Sequence, residues 1–175
     1  ITAAVAAMKI ELSDVTLNVD VTGPDDAPTV CLGHCFGSNH HFFDAQMDAL
    51  QGFRVVRFDA RGHSGSTRGS ELYNLNDMAA DVVGVLDALG IAVAHYCGVS
   101  MGGMVGQYLA LNFPERIGSL ALVNTTSGYS KEQVALWRER ADIAEERGIS
   151  EFSAALLSRW FTNEACESKA PGWAY

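Results

Sequence analysis

Basic residues are scarce in this sequence. Its 175 residues include 12 Lys and Arg against 21 Asp and Glu, which gives a net charge of −9 and a pI near 4.9. The basic residues are scattered along the chain and form no basic stripe. Because nucleic acids and anionic membranes are bound by clustered positive charge, we expect neither of them to be a partner.

Cysteine is also sparse, and its spacing does not suit a metal site. The four cysteines include no C-x-x-C pair, and no histidine stands at zinc-ligand spacing from them. Cys31 and Cys97 lie within apolar runs of strand character, where cysteine acts as a small apolar side chain. We therefore expect reduced thiols in a cytoplasmic protein, with no metal and no cofactor. The sequence also lacks an apolar run long enough to cross a membrane.

The first 128 residues alternate between strand patterns and helix patterns. An antiparallel hairpin over residues 9–21 comes first. It is followed by strand 29–32, helix 42–50, strand 53–58, helix 77–89 capped by Asn76, strand 95–99, helix 101–111 and strand 119–124. Such alternation predicts an α/β fold in which helices cover both faces of a mostly parallel sheet. We assign residues 1–128 to this core.

The pattern changes to helices alone after residue 128. Ser130 and Gln133 match a capping box at the start of a charged helix that ends before Gly148. Residues 152–161 predict a second helix, and no strand pattern follows. We interpret residues 129–175 as a helical cap segment that is incomplete in this chain, beside a core that holds only the first part of its sheet.

The run G-V-S-M-G over residues 98–102 is a G-x-S-x-G pattern between a strand and a helix. In that context the serine lies on a sharp, strained turn, and its hydroxyl is exposed at the edge of the sheet. We predict that Ser100 is a nucleophile. The oxyanion formed by its attack needs N–H donors. We expect these donors to be the amides of Met101 and of Phe36, which lies in the glycine-containing loop 32–37.

Three motifs together resemble the α/β-hydrolase superfamily: HCFG over 34–37, DARGHSG over 59–65 and GVSMGG over 98–103. The stretches FRVVRFDARGH over 53–63, YCGVSMGG over 96–103 and RWFT over 159–162 are similar to 3-oxoadipate enol-lactonases in particular. At His34 and Cys35 the chain departs from these lactonases, which often have Asn-Ser there. The resemblance implies an α/β-hydrolase fold in which a catalytic acid and then a histidine follow the nucleophile along the chain.

The positions at which this superfamily carries its acid and base are empty here. No histidine follows Ser100, and no Asp or Glu occurs within residues 118–129. We do not expect Asp59 to be the triad acid, because it follows a different strand. We interpret Arg61 and His63 as structural residues, and His40, His41 and His95 as surface residues or core residues with satisfied hydrogen bonds. We therefore predict a missing C-terminal hydrolase segment that carries Asp and His and covers the apolar edge strand 119–124. The chain is then a fragment, one half of a split enzyme or a rearranged chain.

The function that these residues and the resemblance favour is hydrolysis of a small carboxylic ester or lactone through a Ser100 acyl-enzyme. The resemblance implies 3-oxoadipate enol-lactone as the substrate, within aromatic catabolism. We expect a substrate pocket formed by His34, which would also order the oxyanion loop, and by Trp137, Trp160 and Arg159. A carbon–carbon bond hydrolase of ring-cleavage products or a cofactor-free haloperoxidase-like esterase would use the same serine. A non-catalytic ligand-binding protein of the same fold is the alternative from another class.

Overall fold

The computed structural model describes residues 6–69, 72–148 and 160–168. The chain divides into two units, Ile1–Thr126 and Ser127–Tyr175. The division falls after residue 126, close to residue 128, where the helix-only pattern begins in the sequence. The first unit contains every strand that the structure describes, so it is the one that carries the sheet.

The first unit is built on a six-stranded sheet with the order β1-β2-β4-β3-β5-β6. Its strands are β1 Ala6–Glu11, β2 Thr16–Thr22, β3 Thr29–Gly33, β4 Arg54–Phe58, β5 Ala94–Val99 and β6 Ile117–Val123. Strands β4, β3, β5 and β6 run parallel, whereas β2 pairs antiparallel with both β1 and β4. The predicted hairpin and the mostly parallel sheet are both confirmed.

Helical segments cover the sheet on both of its faces. They are a 3₁₀ segment His40–Leu50, helix α1 Leu75–Ala88 and helix α2 Met101–Asn112. Successive strand residues point to opposite faces, so Val56 packs in a core with α1 and α2, whereas Val55 packs in a second core with Phe43 of the 3₁₀ segment. This arrangement confirms the α/β fold expected from the alternating pattern.

Helix α1 begins earlier than the sequence analysis predicted. Its N-cap is Asn74, whose side chain accepts hydrogen bonds from the amides of Asn76 and Asp77, while the Asp77 side chain accepts from Asn74 N. The prediction that Asn76 caps this helix is wrong, because a capping box requires a carboxylate or amide three residues after the cap. Asn76 lies inside the helix, and its side chain accepts a hydrogen bond from Asn112 at 2.9 Å.

Strand β6 is the last strand of the sheet at one side. Within residues 6–69, 72–148 and 160–168 it pairs with β5 alone. Leu122 and Val123 are 44% and 45% exposed, although both side chains are apolar. The strand therefore presents an open hydrogen-bonding edge and apolar surface at the same place, as predicted for residues 119–124.

The second unit contains helix α3, Lys131–Arg147, and a short helix, Asn163–Ser168. Ser130 and Gln133 form the predicted capping box, and Gly148 follows the last turn with a φ of 86°. No residue of α3 is buried. Apart from Trp160 and Phe161, the predicted helix 152–161 lies outside the described residues, as does Arg159. Across the ranges that the structure describes, no helix has the length and apolar character to cross a membrane.

Candidate active site

Ser100 lies on the turn that joins β5 to α2. Its backbone has a φ of 52° and a ψ of −110°, a region that non-glycine residues rarely adopt. The turn is held against the end of β6, because Ser100 N donates to Val123 O at 2.9 Å and the Thr125 hydroxyl donates to Ser100 O at 2.7 Å. The predicted strained strand-to-helix turn is therefore confirmed.

Close approach of the backbone explains the glycines of the motif. A Cβ atom at Gly102 would lie far inside contact distance of the Gly33 carbonyl oxygen, and one at Gly98 would collide with the Gly102 carbonyl group. At Gly103 a Cβ atom would be 2.7 Å from the Thr125 side chain. The G-x-S-x-G-G pattern is therefore what allows strand, helix and the preceding loop to meet at Ser100.

The two expected oxyanion donors lie on segments that are hydrogen-bonded to each other. Gly102 N donates to His34 O at 3.1 Å, which joins the start of α2 to loop 32–37. Met101 is the first residue of α2, so its amide has no intrahelical acceptor and lies at the positive end of the helix dipole. Both features suit an amide that stabilises negative charge beside Ser100.

The direction of the Phe36 amide follows from the contacts of the preceding carbonyl group. Cys35 O accepts from His34 Nδ1 at 2.8 Å and from Ser38 N at 3.3 Å. Because a trans peptide is planar and its N–H points opposite to its C=O, these bonds aim Phe36 N–H away from His34. That both donors converge on one point stays a prediction.

His34 is a neutral residue that supports this loop. Its ring is buried, Nδ1 donates to Cys35 O, and Nε2 accepts from Ala60 N at 2.9 Å. Burial lowers the pKa of His34 to about 4. Because both ring nitrogens are engaged within the loop network, His34 has no nitrogen left to bind substrate or to take the Ser100 proton. Its expected role in ordering the loop agrees with this geometry, whereas a direct polar contact with substrate does not.

Asp59 connects the loop that follows β4 to the 3₁₀ segment and to strand β2. It is fully buried; Oδ1 accepts from His40 N at 2.9 Å and from His40 Nδ1 at 2.7 Å, while Oδ2 accepts from Gly65 N at 3.0 Å and Asn18 Nδ2 at 3.1 Å. Burial alone would raise the pKa of Asp59, but the hydrogen bonds from His40 and Gly65 hold it below its ordinary value. The sequence did not predict the pairing of Asp59 with His40, because no short-range pattern links these two residues.

His63 and Arg61 are engaged with neighbouring segments. His63 Nε2 accepts from Gly37 N at 3.2 Å, and His63 Nδ1 contacts Arg61 O at 3.1 Å. The Arg61 guanidinium donates from Nε and Nη2 to the Asp81 carboxylate, each at 2.6 Å, and also pairs with Asp14. These contacts agree with the structural roles predicted for both residues.

None of the five histidines is a base for Ser100 in the part of the chain that the structure describes. The hydrogen bonds of His34, His40 and His63 are those given above. His41 contacts Asp44, and His95 contacts Ser119 at the end of β5 far from Ser100. None of them forms a hydrogen bond with the Ser100 hydroxyl among the described residues. Among the described residues, no histidine is therefore placed beside the turn at Ser100 to act as a general base.

The expected pocket residues of the cap lie in the second unit. Trp137 packs edge-on against Tyr129 at 6.2 Å, and the Arg140 guanidinium lies 5.0 Å from the centre of the Trp137 ring. Trp160 is 45% exposed. Their contact with a substrate stays a prediction, as does that of Arg159. Over the described ranges, no group of three His, Cys, Asp or Glu residues is arranged to hold a metal ion.

Comparison with known proteins agrees with this geometry. The 3-oxoadipate enol-lactonase 2 of Acinetobacter baylyi is 34% identical over 150 residues, which is 85% of this chain and 55% of that protein. A hydrolase structure from Pseudomonas aeruginosa superposes with a TM-score of 0.86 at 38% identity, covering 94% of this chain and 63% of that one. The enol-lactonase structure from Burkholderia xenovorans gives 0.87 at 33% identity, covering 95% and 65%.

This chain therefore spans about half the length of that curated relative and less than two thirds of the two solved structures. The family model for the alpha/beta hydrolase fold matches residues 28–169. That range contains the turn at Ser100, the oxyanion loop and the loop that begins at Asp59. The chain belongs to the α/β-hydrolase family.

Proposed function

We propose that Ser100 is the nucleophile of a serine hydrolase that cleaves a small carboxylic ester or lactone. The observation that carries this proposal is the backbone of Ser100, which has a positive φ on a turn that only the flanking glycines allow. A fold keeps a strained non-glycine residue where the surrounding structure enforces it, and such residues cluster at functional sites. A turn serine without a reaction to perform could be replaced by glycine at no loss.

The chemistry is acyl transfer in two steps. The Ser100 Oγ adds to the substrate carbonyl carbon as a base takes its proton, and the oxyanion accepts hydrogen bonds from Met101 N–H and Phe36 N–H. The carbonyl then re-forms, the alcohol or enol oxygen leaves with a proton, and the acyl group stays on Ser100. Water attacks the acyl-enzyme by the same route and releases the acid. In a lactone the leaving oxygen remains part of the acyl group, so one ring-opened product is released.

The base and the acid come, in this proposal, from a further segment of the full-length protein. Such a segment would add strands to the open edge of β6 and place an Asp and a His beside Ser100. Among the described residues β6 pairs with β5 alone, and an open edge strand with exposed apolar side chains such as Leu122 and Val123 is ordinarily covered by another segment, which supports this placement. The shorter span of this chain relative to its relatives is consistent with it.

The substrate we propose is an enol-lactone that carries a carboxylate, such as 3-oxoadipate enol-lactone. Support comes from relatives that bear the name enol-lactonase. Trp137, Trp160 and Arg159 would then form the apolar and cationic parts of the pocket. The full-length protein should hydrolyse the enol-lactone with a kcat/KM at least tenfold above that for p-nitrophenyl acetate. A reverse preference would indicate a general esterase.

Covalent labelling tests the nucleophile. A fluorophosphonate applied to the full-length protein should modify Ser100, as read by peptide mass spectrometry, and Ser100→Ala should lower kcat by several orders of magnitude. Ser13→Ala is the matched control, because Ser13 is an exposed serine in the β1–β2 turn. Unlabelled Ser100 together with tight, unchanged substrate binding would support a non-catalytic ligand-binding protein instead.

The contribution of the further segment has its own test. Residues 1–175 purified alone should be poorly soluble and should not hydrolyse p-nitrophenyl acetate above background. Adding the remainder of the protein as a second polypeptide should restore Ser100-dependent turnover. Soluble, folded 1–175 with full turnover would show that the base lies within this chain.

A further inference from the structure

We propose that His63 is a positioning residue for the oxyanion hole: its Nε2 holds the Gly37 amide and thereby fixes the peptide groups around Phe36. This inference rests on the proposed function, since it concerns how the second oxyanion donor is aimed. It assigns to the loop that follows β4 an indirect role in catalysis, through its hydrogen bonds with the oxyanion loop.

The loop that begins at Asp59 is attached to the oxyanion loop at two places and to the start of the 3₁₀ segment at a third. Ala60 N donates to His34 Nε2 at 2.9 Å, Gly37 N donates to His63 Nε2 at 3.2 Å, and Asp59 Oδ1 accepts from His40. These attachments span the oxyanion loop from its first residues to the start of the 3₁₀ segment. The orientation of Phe36 therefore depends on hydrogen bonds from the loop that follows β4 as well as on the oxyanion loop itself.

Each of the two peptide groups that flank Phe36 is held by an imidazole. His34 holds the Cys35 carbonyl group, and His63 holds the Gly37 amide. The His63 ring also packs edge-on against the Phe36 ring, with centroids 5.7 Å apart and planes at 86°. With both flanking peptide planes fixed, rotation of the Phe36 backbone is restricted.

Gly37 is the residue at which this loop would otherwise relax. Its φ is 73°, a conformation that glycine reaches readily but can also leave readily because it has no Cβ atom. The hydrogen bond from Gly37 N–H to His63 Nε2 stabilises one backbone conformation of Gly37. Gly37 follows Phe36, whose amide is the proposed oxyanion donor. A small error in the position of an oxyanion donor is enough to lower the rate of the chemical step.

The hydrogen-bonding role of His63 can be separated from ring packing with three substitutions. His63→Phe keeps a ring against Phe36 but offers no acceptor to Gly37 N–H, whereas His63→Gln places an amide oxygen where Nε2 stands. His63→Leu repeats the comparison without a ring. His95→Ala is the control, because it removes a histidine at the amino end of β5, where it contacts Ser119 at 2.8 Å.

The experiment measures Ser100-dependent turnover and amide exchange in the full-length protein. His63→Phe and His63→Leu should lower kcat about 10- to 100-fold with KM within about twofold, because a transition-state contact is weakened. His63→Gln should recover most of kcat, and His95→Ala should match the wild type. Hydrogen exchange at the Gly37 amide should quicken at least tenfold in the Phe and Leu variants and stay slow in the Gln variant.

Unchanged exchange at Gly37 in His63→Phe would overturn the inference, whatever the activity of the protein. So would an unchanged kcat in that variant, or a Gln variant as impaired as the Phe variant. Failure of the proposed function has a different signature: wild-type protein would show no Ser100-dependent turnover, while the exchange measurement would still report on the His63–Gly37 contact.

Discussion

The strain at Ser100 predicts that removing the side chain altogether stabilises the protein more than removing the hydroxyl. Ser100→Ala keeps a Cβ atom at a φ of 52° and a ψ of −110°, so it keeps the steric conflict of that region. Ser100→Gly removes the Cβ atom, and glycine adopts such angles without conflict. Both variants lack the Ser100 hydroxyl, which is the proposed nucleophile, so the comparison is independent of catalysis.

The magnitude follows from two opposing contributions. A non-glycine residue in a sparsely populated backbone region is destabilised by about 1–3 kcal/mol. Glycine lowers stability by about 0.5–1 kcal/mol relative to alanine, because the unfolded chain gains freedom. The difference favours Ser100→Gly over Ser100→Ala by about 1 kcal/mol. For a protein of this size that corresponds to a shift in Tm of about 2–4 °C.

Urea unfolding of the two variants, followed by circular dichroism, measures this difference. Ser119 is the matched control, because it lies in strand β6 with extended backbone. There the glycine variant should be less stable than the alanine variant by about 0.5–1 kcal/mol. If Ser100→Gly were likewise less stable than Ser100→Ala, the turn would not be strained, and the argument from its backbone to a nucleophile would fail.

Three further predictions concern the residues around this turn. Burial lowers the pKa of His34 from 6.5 to about 4, so between these pH values the unfolded chain is protonated at His34 and the folded protein is not. The free energy of unfolding should therefore fall by about 3 kcal/mol as the pH is lowered from above 6.5 to about 4. Urea midpoints from pH 4 to 7 should show this slope in the wild type and a shallower one in His34→Gln. Gly102→Ala should lower stability by about 2 kcal/mol, since its Cβ atom would collide with Gly33 O; an unchanged Tm would contradict this. Arg61→Met should cost about 3 kcal/mol by leaving the buried Asp81 carboxylate unpaired, whereas Arg61→Met combined with Asp81→Leu should regain most of it.

Local patterns were sufficient to predict most of the fold. Alternating and continuous apolar runs predicted each of the six strands that the structure describes, because side-chain periodicity depends only on residues near in sequence. The capping box at Ser130 was predicted in the same way. The start of α1 was misplaced because Asn74 and Asn76 are equally good caps, and only the partner at Asp77 distinguishes them.

In the candidate site too, some features follow from local sequence and others only from tertiary structure. The G-x-S-x-G pattern between a strand and a helix by itself determined where the strained serine lies, because the serine and the glycines that make room for the turn are all within a few consecutive residues. The long-range partners of Asp59, His34 and His63 were decided by tertiary structure alone. Their hydrogen bonds join loops that follow different strands, and those loops meet only because parallel strands bring their carboxyl ends to one edge of the sheet. No periodicity or short motif encodes which atoms face one another across that edge, since the pairing depends on strand order and register.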